Sequence, residues 1–327
     1  MRVMTKHINY LARVIPAYIF RGSSQLAFWH EPPKISDDFC RDRIGTYYMD
    51  FTRKAHYAAH LDAERIPLLD YKGQIGKQYN PIAIAQFGLG RYNLLMRTQE
   101  EKHRQAFLRS ADWLVDRLRQ NQKGLWVWMH DFDWEYQEIL KSPWYSGLAQ
   151  GQGISLLVRA FLLTGEDRYR EDTDRAYAAF EKDIDQGGVT CRDEEGCWWI
   201  EEYLVSRPTH ILNGFIWAMW GIYDYYILTR DSAVKTLWDD GLQTIAKNLK
   251  KYDAGYWSLY DLSDRAMKNP ASAFYHALHI VQLKVLYLLS GIEIFKSYSD
   301  IWEGYLHNTI NRSRAFCDKV IFKLRYF

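Results

Sequence analysis

Cysteine is scarce in this chain, with four cysteines among 327 residues. No two of them have the two-residue separation of the common zinc and redox motifs. Cys191 and Cys197 lie six positions apart in an acidic stretch, without a histidine close by in the sequence. This spacing excludes the usual structural zinc sites, and we therefore expect no metal site.

The chain also lacks a charge excess and a long apolar run. Its 42 basic and 40 acidic residues give a formal net charge of +2, without a basic block of the kind that follows nucleic-acid phosphates. No stretch reaches the roughly 18 uncharged apolar residues of a membrane-spanning helix. Charges interrupt the apolar positions near the N-terminus, unlike those of a signal peptide. We expect a soluble protein, cytoplasmic or otherwise, with neither a nucleic-acid partner nor a membrane segment.

Aromatic residues are abundant instead. They make up 16% of the chain and include 13 tryptophans and 24 tyrosines. Many must lie in a core, but tryptophan and tyrosine also line pockets for ligands with an apolar face and a polar edge. The aromatic content therefore favours an enzyme or a binding protein for such a ligand.

A hydroxyl residue recurs at the ends of four apolar segments, after steps of 66, 65 and 61 residues: Thr98, Thr164, Thr229 and Ser290. Each follows a segment with the pattern of a buried helix and precedes an amphipathic one, which predicts a turn followed by a helix N-cap. Four inner–outer helix pairs predict an all-α dominated fold, either an open solenoid or an (α/α) barrel. We place the helical domain at residues 76–327 and treat residues 1–75 as an N-terminal arm or small cap.

Long aromatic segments separate the helix pairs, and short β-alternation appears in each of them, for example at residues 125–128 and 197–203. Long loops on a regular scaffold usually carry function. Polar residues collect beside them at the inner-helix starts: Asn80, Gln150, Gln152, Asn213 and His276. Four helix N-termini at one rim are suited to an anion. Gly151 and Gly153, unfavourable within a helix by about 1 kcal/mol each, would let backbone approach this ligand.

Several loop residues could carry acid–base chemistry, each with a structural alternative. Glu201, Glu202 and Tyr203 are adjacent, and strand alternation would point Glu202 away from its neighbours; the alternative is a solvated acidic hairpin. The alternative for Tyr260 and Tyr275 is interior packing.

Two further pairs have the same ambiguity. His276 and His279 lie three residues apart and could hold a metal, but no supporting motif accompanies them, so a hydrogen-bonding role is favoured. Asp131 and Asp133 form either an acid–base pair or exposed loop carboxylates.

The segments YNPIAIAQFGLG, SGLAQGQGISLLVRAFLLT, EEY followed by HILNGF, LYDL and YHALHIVQL together resemble the catalytic C-terminal domain of the D-glucuronyl C5-epimerases. The resemblance covers about residues 79–302. It implies a helical (α/α) barrel and an isomerase that converts glucuronic acid to iduronic acid units within heparan-type polysaccharides such as heparosan. The implied partner is an anionic uronate polysaccharide, no cofactor is required, and a homodimer is compatible with it.

Carried over residue by residue, the resemblance implies a catalytic pair at Glu202 and Tyr203 and catalytic tyrosines at Tyr260 and Tyr275. Where the eukaryotic enzymes carry an arginine for the substrate carboxylate, this chain has Ser263, and Arg265 is the candidate replacement. We assign substrate binding to Gln150, Gln152, Asn213, Gly214, His276 and Arg265.

The implied reaction removes a proton alpha to a carboxylate and returns one from the opposite face. We expect Tyr275 and Glu202 to act as the opposed groups, with Tyr203 and Tyr260 assisting. The alternatives are a uronate polysaccharide lyase, a glycoside hydrolase that uses two carboxylates such as Asp133 and Glu202, and a non-catalytic carbohydrate-binding protein.

Overall fold

The structure is a computed structural model that describes residues 25–326. Two short helices, α1 (Gln25–Trp29) and α2 (Thr52–Ala55), precede nine longer ones within that range. The longer helices are α3 (Pro81–Thr98), α4 (Glu101–Arg117), α5 (Gly147–Thr164), α6 (Asp167–Tyr177), α7 (Leu212–Thr229), α8 (Ser232–Asn248), α9 (Ala273–Ser290), α10 (Glu293–His307) and α11 (Thr309–Tyr326).

Four helices are buried on most of their faces and form an inner layer. These are α3, α5, α7 and α9, each 18 residues long and each followed directly by a helix that buries a single stripe. In α4 the buried side chains recur at helical spacing (Phe107, Ala111 and Leu114), whereas Glu101 and Lys102 are exposed. The alternation confirms the predicted (α/α) barrel of helical hairpins. None of the helices between residues 25 and 326 combines the length and apolarity needed to cross a bilayer.

The recurring hydroxyl residue ends each inner helix. Thr164 Oγ1 donates to the carbonyl oxygen of Ala160 at 2.8 Å and accepts from the backbone N–H of Glu166 at 3.1 Å. Gly165 between them has a φ of 74°, a left-handed conformation that stops the helix. The hydroxyl groups of Thr98, Thr229 and Ser290 form the same two hydrogen bonds, and the residue after each of them also has a left-handed conformation. The sequence period therefore records a repeated helix end, and the N-cap position of the outer helix follows two residues later.

Short antiparallel strands lie in the segment before α3 and in two of the three long loops between the helix pairs. They are β1 (Leu69–Asp70) with β2 (Lys77–Gln78), β3 (Leu118–Gln120) with β4 (Trp126–His130) and β7 (Trp144–Tyr145), β5 (Trp134–Glu135) with β6 (Ile139–Leu140), and β8 (Thr190–Arg192) with β9 (Trp198–Ile200). The loop before α9 has isolated bridges instead, among them Leu259 with Pro270.

The segment that precedes α3 packs against the inner helices. Tyr47, Tyr48 and other apolar residues of this segment belong to the same core as α5 and α7. The Tyr48 hydroxyl donates to Asp224 Oδ1 at 2.6 Å, and Asp224 forms a buried ion pair with Arg159 at 2.6 Å. The domain boundary at residue 75 stays a prediction, and the first part of the proposed arm lies outside the described residues.

The glycines at the start of α5 let this helix approach its neighbours closely. A Cβ atom on Gly151 would lie 2.4 Å from Ala218 Cα, and one on Gly221 would lie 2.3 Å from the Gly151 carbonyl oxygen. A Cβ atom on Gly153 would lie 2.3 Å from the Trp128 ring. Our expectation that Gly151 and Gly153 make room for a ligand is therefore wrong, because protein atoms occupy the space beside both.

Gly151→Ala should lower the free energy of unfolding by about 1–3 kcal/mol, because the added methyl group overlaps the backbone of α7. Helix propensity alone predicts the opposite sign, a gain of up to about 1 kcal/mol. Gly304→Ala in α10 is the matched control, since nothing beyond the local helix lies within 4 Å of the added Cβ atom. Chemical denaturation of both variants checks this, and equal stability of the two would contradict the close crossing.

Candidate active site

A cavity of about 160 Å³ lies where the inner helices begin. A single water molecule needs roughly 10–15 Å³ by this measure, so the cavity has room for a small ligand group. Its wall consists of Leu26, Trp29, Tyr71, Asn80, Ile82, His130, Phe132, Trp134, Trp144, Leu148, Glu202, Tyr203, Asn213, Trp217, Phe274, Tyr275 and Leu278. These residues come from all four inner helices and from the long loops. The inner-helix starts and the long loops therefore contribute to one site, as predicted.

Glu202 is the one carboxylate in this wall among the described residues. It is 6% exposed and packs against Gly214, where a Cβ atom would lie 2.3 Å from Oε2. Burial raises the pKa of Glu202 to about 8, although the Tyr203 hydroxyl offsets part of this increase. A buried carboxyl group that holds its proton near neutral pH is suited to general acid–base catalysis.

Glu201 has a different environment from the residue that follows it. Its carboxylate accepts from the backbone N–H groups of Thr209 at 3.0 Å and His210 at 3.2 Å. His210 Nδ1 lies 2.6 Å from Glu201 Oε1. These bonds hold the segment that leads into α7, so Glu201 is a structural residue whereas Glu202 faces the cavity.

Four tyrosines lie near Glu202, in two contacting pairs. The ring centroids of Tyr260 and Tyr275 lie 4.9 Å apart, and those of Tyr203 and Tyr136 lie 4.6 Å apart. Burial raises the pKa values of Tyr203 and Tyr260 well above the usual range, and the Glu202 carboxylate raises them further. Tyr203 and Tyr275 line the cavity, and Tyr260 contacts Tyr275. The fold therefore brings together the four residues that the resemblance implies to be catalytic.

Several polar atoms in the wall lack a hydrogen-bond partner. They are Glu202 Oε2, Asn213 Oδ1, Trp217 Nε1 and both ring nitrogens of His130, all unpaired within the described part of the chain. Burial lowers the pKa of His130 to about 3, so this ring is neutral at physiological pH. An unpaired buried polar group costs roughly 1–3 kcal/mol unless a ligand or water completes its bonds. This concentration of unpaired atoms indicates a site for a polar ligand.

Gln150 and Gln152 lie outside the cavity wall, which corrects their assignment to substrate binding. Gln150 accepts from the backbone N–H of Trp128 at 3.0 Å and donates to the carbonyl oxygen of Ala176 at 3.0 Å. Gln152 donates to the buried Tyr47 hydroxyl. Both side chains are fully buried. Their amides therefore connect α5 to neighbouring protein segments rather than to a ligand.

His276 is also a structural residue, contrary to the substrate-binding assignment. Its Nδ1 accepts from the backbone N–H of Ser258 at 3.1 Å, and its Nε2 lies 2.9 Å from the carbonyl oxygen of Trp302. His279 Nδ1 lies 2.9 Å from the Ser258 hydroxyl. The hydrogen-bonding role favoured for this histidine pair is confirmed.

Arg265 does not replace the arginine of the eukaryotic enzymes in this cavity. Its guanidinium lies over the ring of Tyr326, 4.7 Å from the centroid. Ser263, at the arginine's position, donates to Asp261 at 2.7 Å. Neither residue contributes to the cavity wall. Any carboxylate bound here must therefore be recognised by other groups.

The carboxylates of HDFDW are exposed loop residues. Asp131 pairs with Arg119. Asp133 accepts from Lys141 Nζ at 2.5 Å and from the backbone N–H of Ser142 at 2.9 Å. These two bonds lower the pKa of Asp133. Asp133 is therefore a surface ion-pair residue and does not form an acid–base pair with Glu202.

The fold also assembles a cluster that the sequence spacing does not reveal. Ligand-type atoms of Cys191, Glu201 and His210 lie within 4.8 Å of one another, so a histidine that is distant in the sequence accompanies Cys191 in the fold. The Glu201 oxygens already accept the hydrogen bonds described above, and the His210 ring stacks on Trp199 with centroids 4.2 Å apart. These contacts give the cluster a structural role, although its atoms are of the types that bind zinc.

Sequence analysis missed most residues of the wall, among them His130, Trp217 and Trp29. His130 is the last residue of β4 and precedes Asp131 and Asp133 in the sequence. Trp217 lies one turn after Asn213 on the same helix face, a spacing that could have identified it. Trp29 comes from the segment before the barrel, and no pattern in the sequence indicates its position.

Known proteins resemble this chain in sequence. The family described as D-glucuronyl C5-epimerase C-terminus matches residues 120–304. A D-glucuronyl C5-epimerase of Caenorhabditis elegans is 27% identical over 331 residues, covering 90% of this chain and 53% of that protein. An uncharacterized protein of Methanocaldococcus jannaschii is 31% identical over 179 residues, covering 54% of this chain and 56% of that protein. The chain thus spans about half the length of the curated relatives it matches.

A solved structure resembles the fold. Cellobiose 2-epimerase from Spirochaeta thermophila superposes with a TM-score of 0.53 at 13% identity, covering 76% of this chain and 64% of that one. At this identity the similarity bears on the fold alone, and it supports the helical barrel.

Glu202→Gln should remove a pH dependence of stability. Because the folded-state pKa of about 8 exceeds the ordinary value of 4.5, the folded protein binds more protons than the unfolded chain between these pH values. The stabilising contribution is complete below pH 4.5 and is lost as the pH rises through 8. Urea denaturation across this range should show the decline in the wild type and a flatter profile in the variant.

The control for this titration is Glu303→Gln, which removes a surface carboxylate that pairs with Lys284 at 2.8 Å. This control should keep the wild-type decline between pH 4.5 and 8. An unchanged decline in Glu202→Gln would show that another group is responsible.

Proposed function

Since the chain belongs to the D-glucuronyl C5-epimerase family through its match to the C-terminal domain, we propose that it inverts C5 of D-glucuronic acid units in an anionic polysaccharide. The product would be L-iduronic acid units, and heparosan is the substrate that the resemblance suggests. One observation carries the proposal: the buried carboxyl group of Glu202 and the ring of Tyr275 line the same cavity, beside unpaired polar atoms.

The reaction removes the C5 proton, which is alpha to the uronate carboxylate, and delivers a proton to the opposite face. We assign these two transfers to Glu202 and Tyr275. A pKa of about 8 supports this role for Glu202, because a group near the operating pH serves as both acid and base. Tyr203 and Tyr260 would assist protonation or contact the glycosidic oxygen. The chemistry requires no cofactor.

The enolate intermediate carries a second negative charge on the carboxylate, so donors must already face it. The wall offers two unpaired neutral groups for this role, the indole N–H of Trp217 and the ring of His130. The N-terminal turns of α7 and α9 add partial positive charge near Asn213 and Tyr275. We infer that neutral donors replace the family's arginine in holding the carboxylate.

The rival reactions differ in how well the geometry supports them. A hydrolase would need a second carboxylate near Glu202, and Asp133 is held at the surface by Lys141 instead. A lyase shares the proton abstraction and differs in the elimination that follows. A homodimer is compatible with all of these reactions, because the residues proposed to act belong to one chain.

Incubation with heparosan in deuterated water distinguishes the reactions. Epimerisation should introduce deuterium at C5 and produce iduronate signals in NMR spectra. A lyase would release unsaturated products that absorb ultraviolet light, a hydrolase would shorten the chains, and a binding protein would do neither. Any of these three outcomes would reject the proposed activity on this polymer.

Tyr275→Phe should reduce the rate of C5 exchange by about two or more orders of magnitude, because it removes a positioned acid–base group. Glu202→Gln should have a similar effect. Tyr287→Phe is the matched control, since its hydroxyl lies near the other end of α9 and donates to Glu293 at 3.2 Å. NMR exchange rates and melting temperatures should be measured on the same samples. Near-normal exchange in Tyr275→Phe would remove this residue from the mechanism.

Treatment with EDTA should leave C5 exchange unchanged. The Cys191–Glu201–His210 cluster is the candidate metal site among the described residues, and Glu201 is already engaged there by backbone N–H groups. Exchange rates should therefore match before and after chelation and dialysis. Loss of exchange that zinc restores in the wild type but not in Cys191→Ser would contradict this assignment, with Cys197→Ser as the control.

A further inference from the structure

The outward face of α11 is apolar. Ten large apolar side chains are exposed in the described part of the chain, and five of them belong to this one helix. These five are Ile310, Phe316, Val320, Ile321 and Leu324, with exposed fractions between 40% and 76%. Isolated exposed apolar residues are ordinary, but their concentration on one helix marks an interaction surface.

The spacing places these residues on a single stripe. At about 100° per residue, Ile310, Ile321 and Leu324 project in nearly the same direction, with Phe316 and Val320 beside them. Ala315 and Phe322 project to the opposite side and are 3% and 1% exposed. The helix therefore has two apolar faces, one packed on the protein and one exposed.

Contacts on the packed side fix the orientation of α11. Lys319 Nζ donates to Asn269 Oδ1 at 2.7 Å, and the Tyr326 hydroxyl accepts from the backbone N–H of Met267 at 3.1 Å. Both partners lie in the loop before α9. A rotation that buried the exposed stripe would break these bonds, so, within the described part of the chain, the stripe stays available to another surface.

The charge of α11 indicates the kind of surface. Apart from Lys319 on the packed side, the helix has four basic residues (Arg312, Arg314, Lys323 and Arg325) and one acidic residue, Asp318. The chain as a whole is nearly balanced, with 42 basic and 40 acidic residues. Asp318 accepts from the Tyr256 hydroxyl at 2.5 Å, while Arg312 and Arg325 are exposed beside the stripe. An apolar stripe with a basic border is complementary to anionic lipid.

We propose that α11 docks the protein on an anionic lipid surface, with the exposed stripe at the boundary between headgroups and acyl chains. The helix would lie in the plane of the surface rather than cross it. Pairing with a second copy fits the charges less well, because a two-fold axis through this face would bring two basic borders together. The proposal concerns a surface outside the cavity and does not depend on the epimerase activity.

Vesicle co-sedimentation of the full chain tests the proposal. The protein should sediment with vesicles of phosphatidylcholine and phosphatidylglycerol in about a 2:1 ratio, far less with phosphatidylcholine alone, and less as salt screens the basic border. Phe316→Asp combined with Leu324→Asp should weaken sedimentation about tenfold or more, because charge replaces the apolar contact. Leu162→Asp is the matched control, an exposed leucine (51%) outside α11.

Arg312→Gln combined with Arg325→Gln tests the electrostatic part. These changes should weaken binding to the anionic vesicles and reduce its salt dependence, without altering the melting temperature.

Four results would overturn the proposal. The first is that the wild type does not sediment with the anionic vesicles. The second is that the stripe variant binds these vesicles as well as Leu162→Asp does. A lower melting temperature in the stripe variant would show that the stripe is packed within the chain. Light scattering that gave a wild-type dimer and a monomeric stripe variant would identify a second copy as the occupant.

Discussion

The close crossing of α5 and α7 is the contact on which the rest of the molecule depends. It exists because Gly151 and Gly221 let two backbones approach without intervening side chains. Farther along the same helices, Arg159 and Asp224 form a fully buried ion pair. Removing either partner would destabilise the folded protein strongly, since the remaining charge would be buried and uncompensated. Tyr48 donates to the same Asp224, which joins the segment before the barrel to this contact.

The crossing also places the chemistry of the site. α7 begins beside the Glu202 segment, and Gly214 in its first turn leaves space for the Glu202 side chain. The wall around this carboxyl group combines aromatic rings with neutral polar atoms, and burial without a nearby cation raises the pKa of Glu202. Glu201, one residue earlier, instead accepts hydrogen bonds from the backbone N–H groups of Thr209 and His210. Two adjacent residues of one type thus have separate roles because their local donors differ.

Local sequence patterns were sufficient for the helical framework. Buried and amphipathic segments alternate with a hydroxyl residue at each inner-helix end, and matching hydrogen bonds form at Thr98, Thr164, Thr229 and Ser290. These features depend on residues within about four positions of each other, where helix geometry fixes the partners. Family motifs likewise identified Glu202, Tyr203, Tyr260 and Tyr275, which converge beside one cavity.

Partners distant in sequence could not be assigned in this way. Gln150 and Gln152 have side chains that could donate to a ligand. In the folded chain, however, Gln150 bonds to the backbone of Trp128 and Ala176, and Gln152 bonds to the Tyr47 hydroxyl. The sequence by itself determined the helices, their order and the residue types at the rim, because these follow from local periodicity. The tertiary structure alone decided which polar atoms are left unpaired toward the cavity, since that depends on which distant segments lie within hydrogen-bond distance of each side chain.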